Sequence, residues 1–277
     1  MLSQALARAQ KRLHRRERVW RLDLLGMLGA VGPQALSLSL LVALWYLVSL
    51  AVLTDVVPTP VMTLQAFQQA LGDGYVWSDL AITFSRMLGA FAIAMLIGVA
   101  FGSALGTIGW FSRVFDLWVT IAASIPSLLY IVIVYLWLGL NDSAAIIGGA
   151  LVVAPSVTFN VWQGMKSLDP GLSEMARAFG VPRWTIFRRV LLPQTIPFLF
   201  AAARLGLALT WKIIIFVELL GRSSGVGYRI EHWYQLFNMK RVLASALLFV
   251  LVMLIIELVV LRNLERFLFR WRRQEAR

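Results

Sequence analysis

Four ionisable residues stand inside otherwise apolar stretches of the chain: Arg204, Lys212, Glu218 and Glu257. Charge is expensive in such surroundings, so each is a candidate for an ion pair or for a polar group beside a path through a membrane. At 100° per residue, Arg204 and Glu218 fall within about 40° of one another on a helix, while Lys212 lies about 120° from Glu218. Arg204 stands near a basic segment, where it can also snorkel to the surface. Lys212 is the deepest of the four, and it faces either a translocation path or a neighbouring helix. Beyond these residues the sequence offers little reactive chemistry. It holds no cysteine and only two histidines, His14 and His232, far apart in sequence. Disulfides, thiolate catalysis and a metal site therefore find no residues, and no cofactor is expected. No H-E-x-x-H, no G-x-S-x-G and no pair of catalytic carboxylates occurs. G-x-x-x-x-G-K-[ST] is absent too, so the chain cannot hydrolyse ATP by itself.

The elements that must hold those charges are membrane helices. The 277 residues are 60% hydrophobic and 14% charged, with mean hydropathy +0.77, more apolar than the roughly half expected of a soluble domain. The net charge of +12 collects at both termini and in the region Asp169–Pro193. That is the distribution of a membrane protein's cytoplasmic side rather than of a nucleic-acid binder. Six apolar segments follow one another, at about 36–53, 80–108, 114–138, 144–164, 198–220 and 242–261, each near the roughly 20 residues that cross a bilayer. Loops 54–79 and 139–143 carry no Lys or Arg, whereas 165–197 carries Lys166, Arg177, Arg183, Arg188 and Arg189. This places the first two outside and the third inside, with both termini cytoplasmic. Loop 221–241 breaks the pattern with Arg222, Arg229, Lys240 and Arg241, yet the order of spans still puts it outside. Residues 1–32 interleave arginines with Leu, Val and Trp and read as a basic interfacial helix. Residues 33–265 form the transmembrane domain, and 266–277 a basic cytoplasmic tail.

Within the spans, Ala90, Ala94, Gly98, Gly102 and Gly106 recur every fourth residue. Such a stripe lets another helix approach closely where lipid supplies no hydrophobic push, so Gly98, Gly102 and Gly106 are expected to pack a helix rather than line a pore. Pro126 and Pro155 fall within spans, each removing a helix hydrogen bond and inviting a kink. With Ser127 beside Pro126, these are candidates to border the pathway. The nearby Ser124, Ser156, Thr158 and Asn160 are expected mainly to cap the kinks.

Residues 169–193, DPGLSEMARAFGVPRWTIFRRVLLP, are polar, basic and punctuated like two short helices. Asp169 can cap a helix that Pro170 opens, and Gly180 sits where a left-handed residue would end it. Pro182 would open a second helix and Pro193 close it. The stretch is either an interfacial loop on the membrane surface or a docking platform for a soluble partner.

Glu174, Ala176, Gly180, Leu192 and Pro193 stand at the spacing of the EAA loop of ABC importer permeases, with Met175 where Ala is usual and Val190 where Ile is usual. Val57-Pro58-Thr59-Pro60 resembles the L-P-[ST]-P of the nitrate/sulfonate/taurine branch. Ile125-Pro126-Ser127 with Trp137-Leu138-Gly139-Leu140 is similar to that branch's I-P…W-F-G-[LI]. Glu218-Leu219-Leu220-Gly221 and Gly225-Val226-Gly227-Tyr228 look like its A-E-L-L-G…G-L-G-Y, with Val217 where Ala is usual. The resemblance covers about residues 55 to 270. It implies an all-α type I importer fold in a bacterial inner membrane, with Glu174, Ala176, Ala178, Gly180, Leu192 and Pro193 coupling to an ATPase. It further implies a cytoplasmic ATPase dimer, an external solute-binding protein and a second permease subunit, a homodimer being expected, and a small anion as solute. The competing class is an ion-coupled secondary transporter or channel. That class favours inverted repeats and a buried acidic or histidine relay, but no histidine lies in a span and the long capped loop would have no role.

Overall fold

The computed structural model describes residues 32–52, 55–263 and 265. The expected surface helix over 1–32, apart from Gly32, and the tail 266–277 lie outside the described residues. All regular structure among the described residues is helical. In chain order the helices are α1 (Gly32–Ala51), α2 (Pro60–Gly72), α3 (Gly74–Thr107), α4 (Gly109–Ser124), α5 (Ser127–Leu138), α6 (Asp142–Lys166), α7 (Pro170–Ala178), α8 (Arg183–Ile186), α9 (Leu192–Gly221), α10 (Val226–Gln235) and α11 (Met239–Ile255). Five stretches are long and apolar enough to cross a membrane, six if the bent pair α4–α5 counts as one.

The chain divides into two units, Met1–Leu64 and Gln65–Arg277. In the first, the indole N–H of Trp45 on α1 donates to the Pro58 carbonyl at 3.1 Å. Thr59 then caps α2, its hydroxyl accepting from the Met62 N–H at 3.2 Å, with Pro60 at the first helical position. That is the local reason for a Thr-Pro pair here.

In the second unit α6 is the central helix. It runs parallel to α3 and antiparallel to α9, and small residues bring the backbones together on both sides. A Cβ built on Gly98 would lie 2.4 Å from Val157, one on Gly102 2.7 Å from Val161, and one on Gly106 2.3 Å from Met165. Each step is one helical turn on both partners, so the every-fourth-residue spacing of the sequence is the register of the α3–α6 contact. Against α9, a Cβ on Gly164 would lie 2.5 Å from Phe198, and one on Gly206 3.0 Å from Val157. Dispersion at such close approach is what holds helices together in lipid.

Three expectations need correction. The segment 114–138 is no continuous span: α4 and α5 meet at 93° across Ile125 and Pro126. Pro126 cannot donate, and the residue before a proline is pushed out of the helical region; Ile125 accordingly adopts φ −70°, ψ 128°. Pro155, by contrast, sits within an unbroken α6. The second correction is that Pro193 closes no helix. α8 passes through a π-helical turn, Phe187–Leu191, directly into α9, giving 39 helical residues from Arg183 to Gly221. The wider turn brings the Leu192 N–H to Phe187 O just where Pro193 would interrupt the ladder, and the Gln194 side chain donates to the Val190 carbonyl at 3.1 Å. A π-bulge is thus what lets the helix continue. The third is that the stretch 221–241 is not simply a loop but contains α10, and three of its arginines are ion-paired: Arg222 to Asp142 at 2.7 Å, Arg229 to Asp79 at 2.8 Å and Arg241 to Asp73 at 3.9 Å.

Candidate functional site

Two constructions at opposite ends of α9 stand out. The first is α7 and its attachment. Asp169 caps α7, its carboxylate accepting from Gly171 N–H at 2.8 Å. At the other end Gly180, with φ 71°, closes the helix. Its N–H donates to Arg177 O at 3.0 Å, and the Val181 N–H donates to Ala176 O at 3.1 Å, the paired bonds of a Schellman motif. The Asp169 N–H donates to Gln194 Oε1 at 3.1 Å, so the cap of α7 is pinned to the first turn of α9. Ser173 and Ala176 face inward, while Glu174, Met175, Ala178 and Phe179 face outward. Phe179 is 80% and Trp184 69% exposed, and Trp184 stacks on Phe187 at 5.7 Å. Beneath α7 lies a cavity of about 710 Å³ bordered by Leu172, Arg189, Pro193 and Phe198. Glu174 makes no ion pair among the described residues, and its neighbour Arg177 donates to Ser173 O at 3.2 Å.

At the other end of α9 lies a buried polar cluster. The Glu218 side chain is fully buried. It accepts from Arg86 Nη1 at 2.7 Å, from the Thr83 hydroxyl at 2.9 Å and from Gly227 N–H at 2.9 Å. Thr83 in turn accepts from Val226 N–H at 2.9 Å. Arg86 spends its remaining donors on Asp142 (2.9 Å from Nε and 2.7 Å from Nη2), on Ser224 O at 2.7 Å and on Ser224 Oγ at 2.8 Å. Asp79 accepts from Gly225 N–H at 3.1 Å and from Arg229 Nε at 2.8 Å. Three guanidiniums thus face three carboxylates, which is what a buried ionic group requires. The glycines are part of the cluster. Gly225 has φ 103°, and a Cβ there would meet the Glu218 carboxylate at 2.3 Å; one on Gly227 would meet Glu218 Cβ at 2.6 Å. A Cβ on Gly221 would lie 2.7 Å from the ring of Tyr135, whose hydroxyl donates to Val217 O at 2.9 Å. The E-L-L-G…G-V-G-Y spacing is therefore a single closure joining α3, α5, α6, α9 and α10.

Residues 94–273 match the family described as the binding-protein-dependent transport system inner membrane component. The chain belongs to this family. It is a membrane permease subunit of an ABC importer, not itself an enzyme. The permease is 31% identical over 233 residues to the putative aliphatic sulfonates transport permease protein SsuC of Escherichia coli (strain K12), covering 83% of this chain and 88% of that one. It is 25% identical to the taurine transport system permease protein TauC of the same strain, covering 94% and 96%. A chain of the MetNI methionine ABC transporter, solved in inward facing conformations, superposes with TM-score 0.56 at 25% identity, covering 70% of this chain and 94% of that one. The type I fold and the inner-membrane location follow.

The remaining sequence-picked residues of the permease fall as follows. Leu192 and Pro193 follow the π-turn; Leu192 is exposed, and Pro193 is half-buried and borders the α7 cavity. Pro126 is exposed at the α4–α5 break and Ser127 half-buried; the Tyr130 hydroxyl donates across that break to Ala122 O at 2.8 Å. Pro155 borders an apolar cavity of about 270 Å³ with Phe115, Trp118, Tyr130 and Thr158. Thr158 and Asn160 turn their polar groups back onto the helix, to Ala154 O and Ser156 O. Arg204 binds Glu257 (Nε 2.9 Å) and Glu265 (3.2 Å). Glu218, singled out as a pathway group, is enclosed among protein groups, because Arg86 and the α10 N-terminus consume its lone pairs. Lys212 is exposed. Sequence reading missed Arg86, Asp79, Thr83 and Asp142. The spacing 79, 83, 86 did carry a signal, one polar face at i, i+4, i+7.

Proposed function

We propose that the permease forms, with a second copy of itself, the path of an importer for small organic sulfonate anions, driven by a cytoplasmic ATPase and fed by an external binding protein. The corner of α7 and α8 carries the reading. It turns Met175 and Phe179 outward between two of the stretches apolar enough to span, and Trp184 outward at the very start of the second. Large exposed apolar side chains among the exposed Arg177, Arg183 and Arg188 suit a protein partner. Glu174, Ala176, Ala178 and Gly180 form the docking helix, and Leu192 and Pro193 the hinge to α9. Motion of the ATPase would reach α9 through the Asp169–Gln194 bond and the closed Schellman turn. The break at Pro126 supports a path beside α5, since irregular backbone at membrane depth persists only against protein or water. The sulfonate class comes from the named substrates of the relatives. The test is uptake by the permease reconstituted in vesicles with its ATPase and binding protein. Taurine or ethanesulfonate should enter only with ATP and binding protein present; absence of ATP-dependent uptake of any sulfonate overturns the solute assignment.

A further inference from the structure

Ion pairing inside the permease leaves Lys212 over. Arg86, Arg204, Arg222 and Arg229 each bind a carboxylate. Lys212 is exposed and has no hydrogen bond or ion pair to any described residue. Its depth follows from the packing pairs. On α9, Ile214 lies against Gly149 and Gly206 against Val157, so Lys212 sits at a level between these, near the middle of α6. Half the hydrocarbon thickness is about 15 Å, more than a four-carbon stem can cross to snorkel.

The face it occupies is equally defined. α9 turns Gly206, Thr210, Ile214 and Val217 into the bundle, and Trp211 stacks on Phe249 of α11 at 4.5 Å. Leu205, Lys212, Phe216 and Leu220 fall within about 80° of one another on the opposite side, and all four are exposed. An ammonium pointed at lipid from this depth is strongly disfavoured. Of the other exposed spans, α1 contains no Asp or Glu, and Glu257 in the stretch after α11 is already bound by Arg204. A second copy presenting the same face would add a like charge.

We infer that Lys212 is the cationic subsite that receives the negatively charged head of the transported solute, with Phe216 and Leu205, one turn above and two below, holding its short alkyl part. The inference rests on the sulfonate reading and narrows it to one residue. A compact ammonium with rotatable donors suits a tetrahedral oxyanion head, and the apolar flanks exclude competing water that would weaken the pairing.

The importer reconstituted in vesicles with its ATPase and saturated binding protein decides this, using ethanesulfonate as probe and dividing uptake by the amount of assembled complex recovered. Lys212→Gln should lower ethanesulfonate uptake by about tenfold or more, the order expected when one partner of a desolvated charge pair is removed. Lys212→Arg should keep uptake within about threefold, because charge and donors persist. Equal uptake per complex by wild type and Lys212→Gln overturns the subsite while leaving the importer and sulfonate readings intact. Loss of assembled complex in both variants overturns it as well, by making Lys212 a subunit contact. Failure of the wild type to carry ethanesulfonate or taurine removes the sulfonate reading itself, and the inference with it.

Discussion

Glu218 and Arg86 show how much of this permease depends on single atoms. Their carboxylate and guanidinium meet at 2.7 Å with almost no exposed surface, and every donor of Arg86 has an acceptor. Removing one partner leaves an uncompensated buried charge, which costs about 3–5 kcal/mol. Glu218→Ala is therefore expected to lower the melting temperature of the detergent-purified permease sharply, and Gly225→Ala to do so too, by driving a methyl into the same carboxylate at a positive φ. Unchanged melting in both would mean the cluster is not the closure described. Part of this was legible. Glu218 announced itself as a charge in an apolar run, and its glycines by their spacing. Its partner was not, because Arg86 stands 132 residues away and separation in sequence carries no trace of that contact. The helical-wheel proximity of Arg204 and Glu218 misled for a simple reason. Fourteen residues are about 21 Å along the axis, and each found a nearer partner on another helix.

Among the elements, the α3 stripe was readable in type and period, and the structure supplies its register against α6. Gly102→Leu must displace Thr158 O and Val161, both 2.7 Å from the built Cβ. Overpacking of this kind costs about 1–3 kcal/mol or more. It should reduce the folded yield in membranes, whereas Gly109→Ala, with open space around it, should not; equal yields would remove the packing role. α7 makes the complementary case. A Cβ on Gly180 meets nothing within 4 Å, so Gly180→Val suffers only the left-handed backbone, about 1–2 kcal/mol. Glu174 is exposed and makes no ion pair among the described residues. Both Gly180→Val and Glu174→Lys should therefore leave the permease inserted and assembled with itself. Both are expected to lose capture of the ATPase, or its stimulation by solute-loaded binding protein, in reconstituted vesicles. Normal stimulation in both would take the docking role away from α7. Both caps of α7 could be read from the sequence, but the fate of Pro193 could not. Proline rules end a helix, and only the π-turn at Phe187–Leu191 and the Gln194 side chain allow it to continue.

On the scale of the whole molecule the remaining question is sidedness, which rests on where free positive charge lies. The six apolar segments stood clear in the sequence because hydrophobic length is a local property. The sharp turn at Pro126 did not, since a proline in a span leaves the size of the bend to its neighbours. Stretch 221–241 seemed to break the positive-inside pattern with four cations. In the folded chain Arg222, Arg229 and Arg241 lean on Asp142, Asp79 and Asp73, so they serve the closure of α3, α6, α9 and α10 rather than the membrane surface. The two ends of α9 must then face opposite sides, with the Glu218 cluster outside and α7 inside. The absence of cysteine makes this directly measurable with single introduced thiols. Gly72→Cys has open space around its side chain, Phe237→Cys replaces a residue 83% exposed in the turn between α10 and α11, and Arg183→Cys stands exposed at the start of α8. A maleimide that cannot cross the membrane should label positions 72 and 237 in intact cells, and position 183 only after permeabilisation. Labelling of 183 but not 72 would invert the molecule. Labelling of 72 with 237 protected until permeabilisation would place the arginine-rich stretch inside, and α9 would then not cross between the two constructions at its ends.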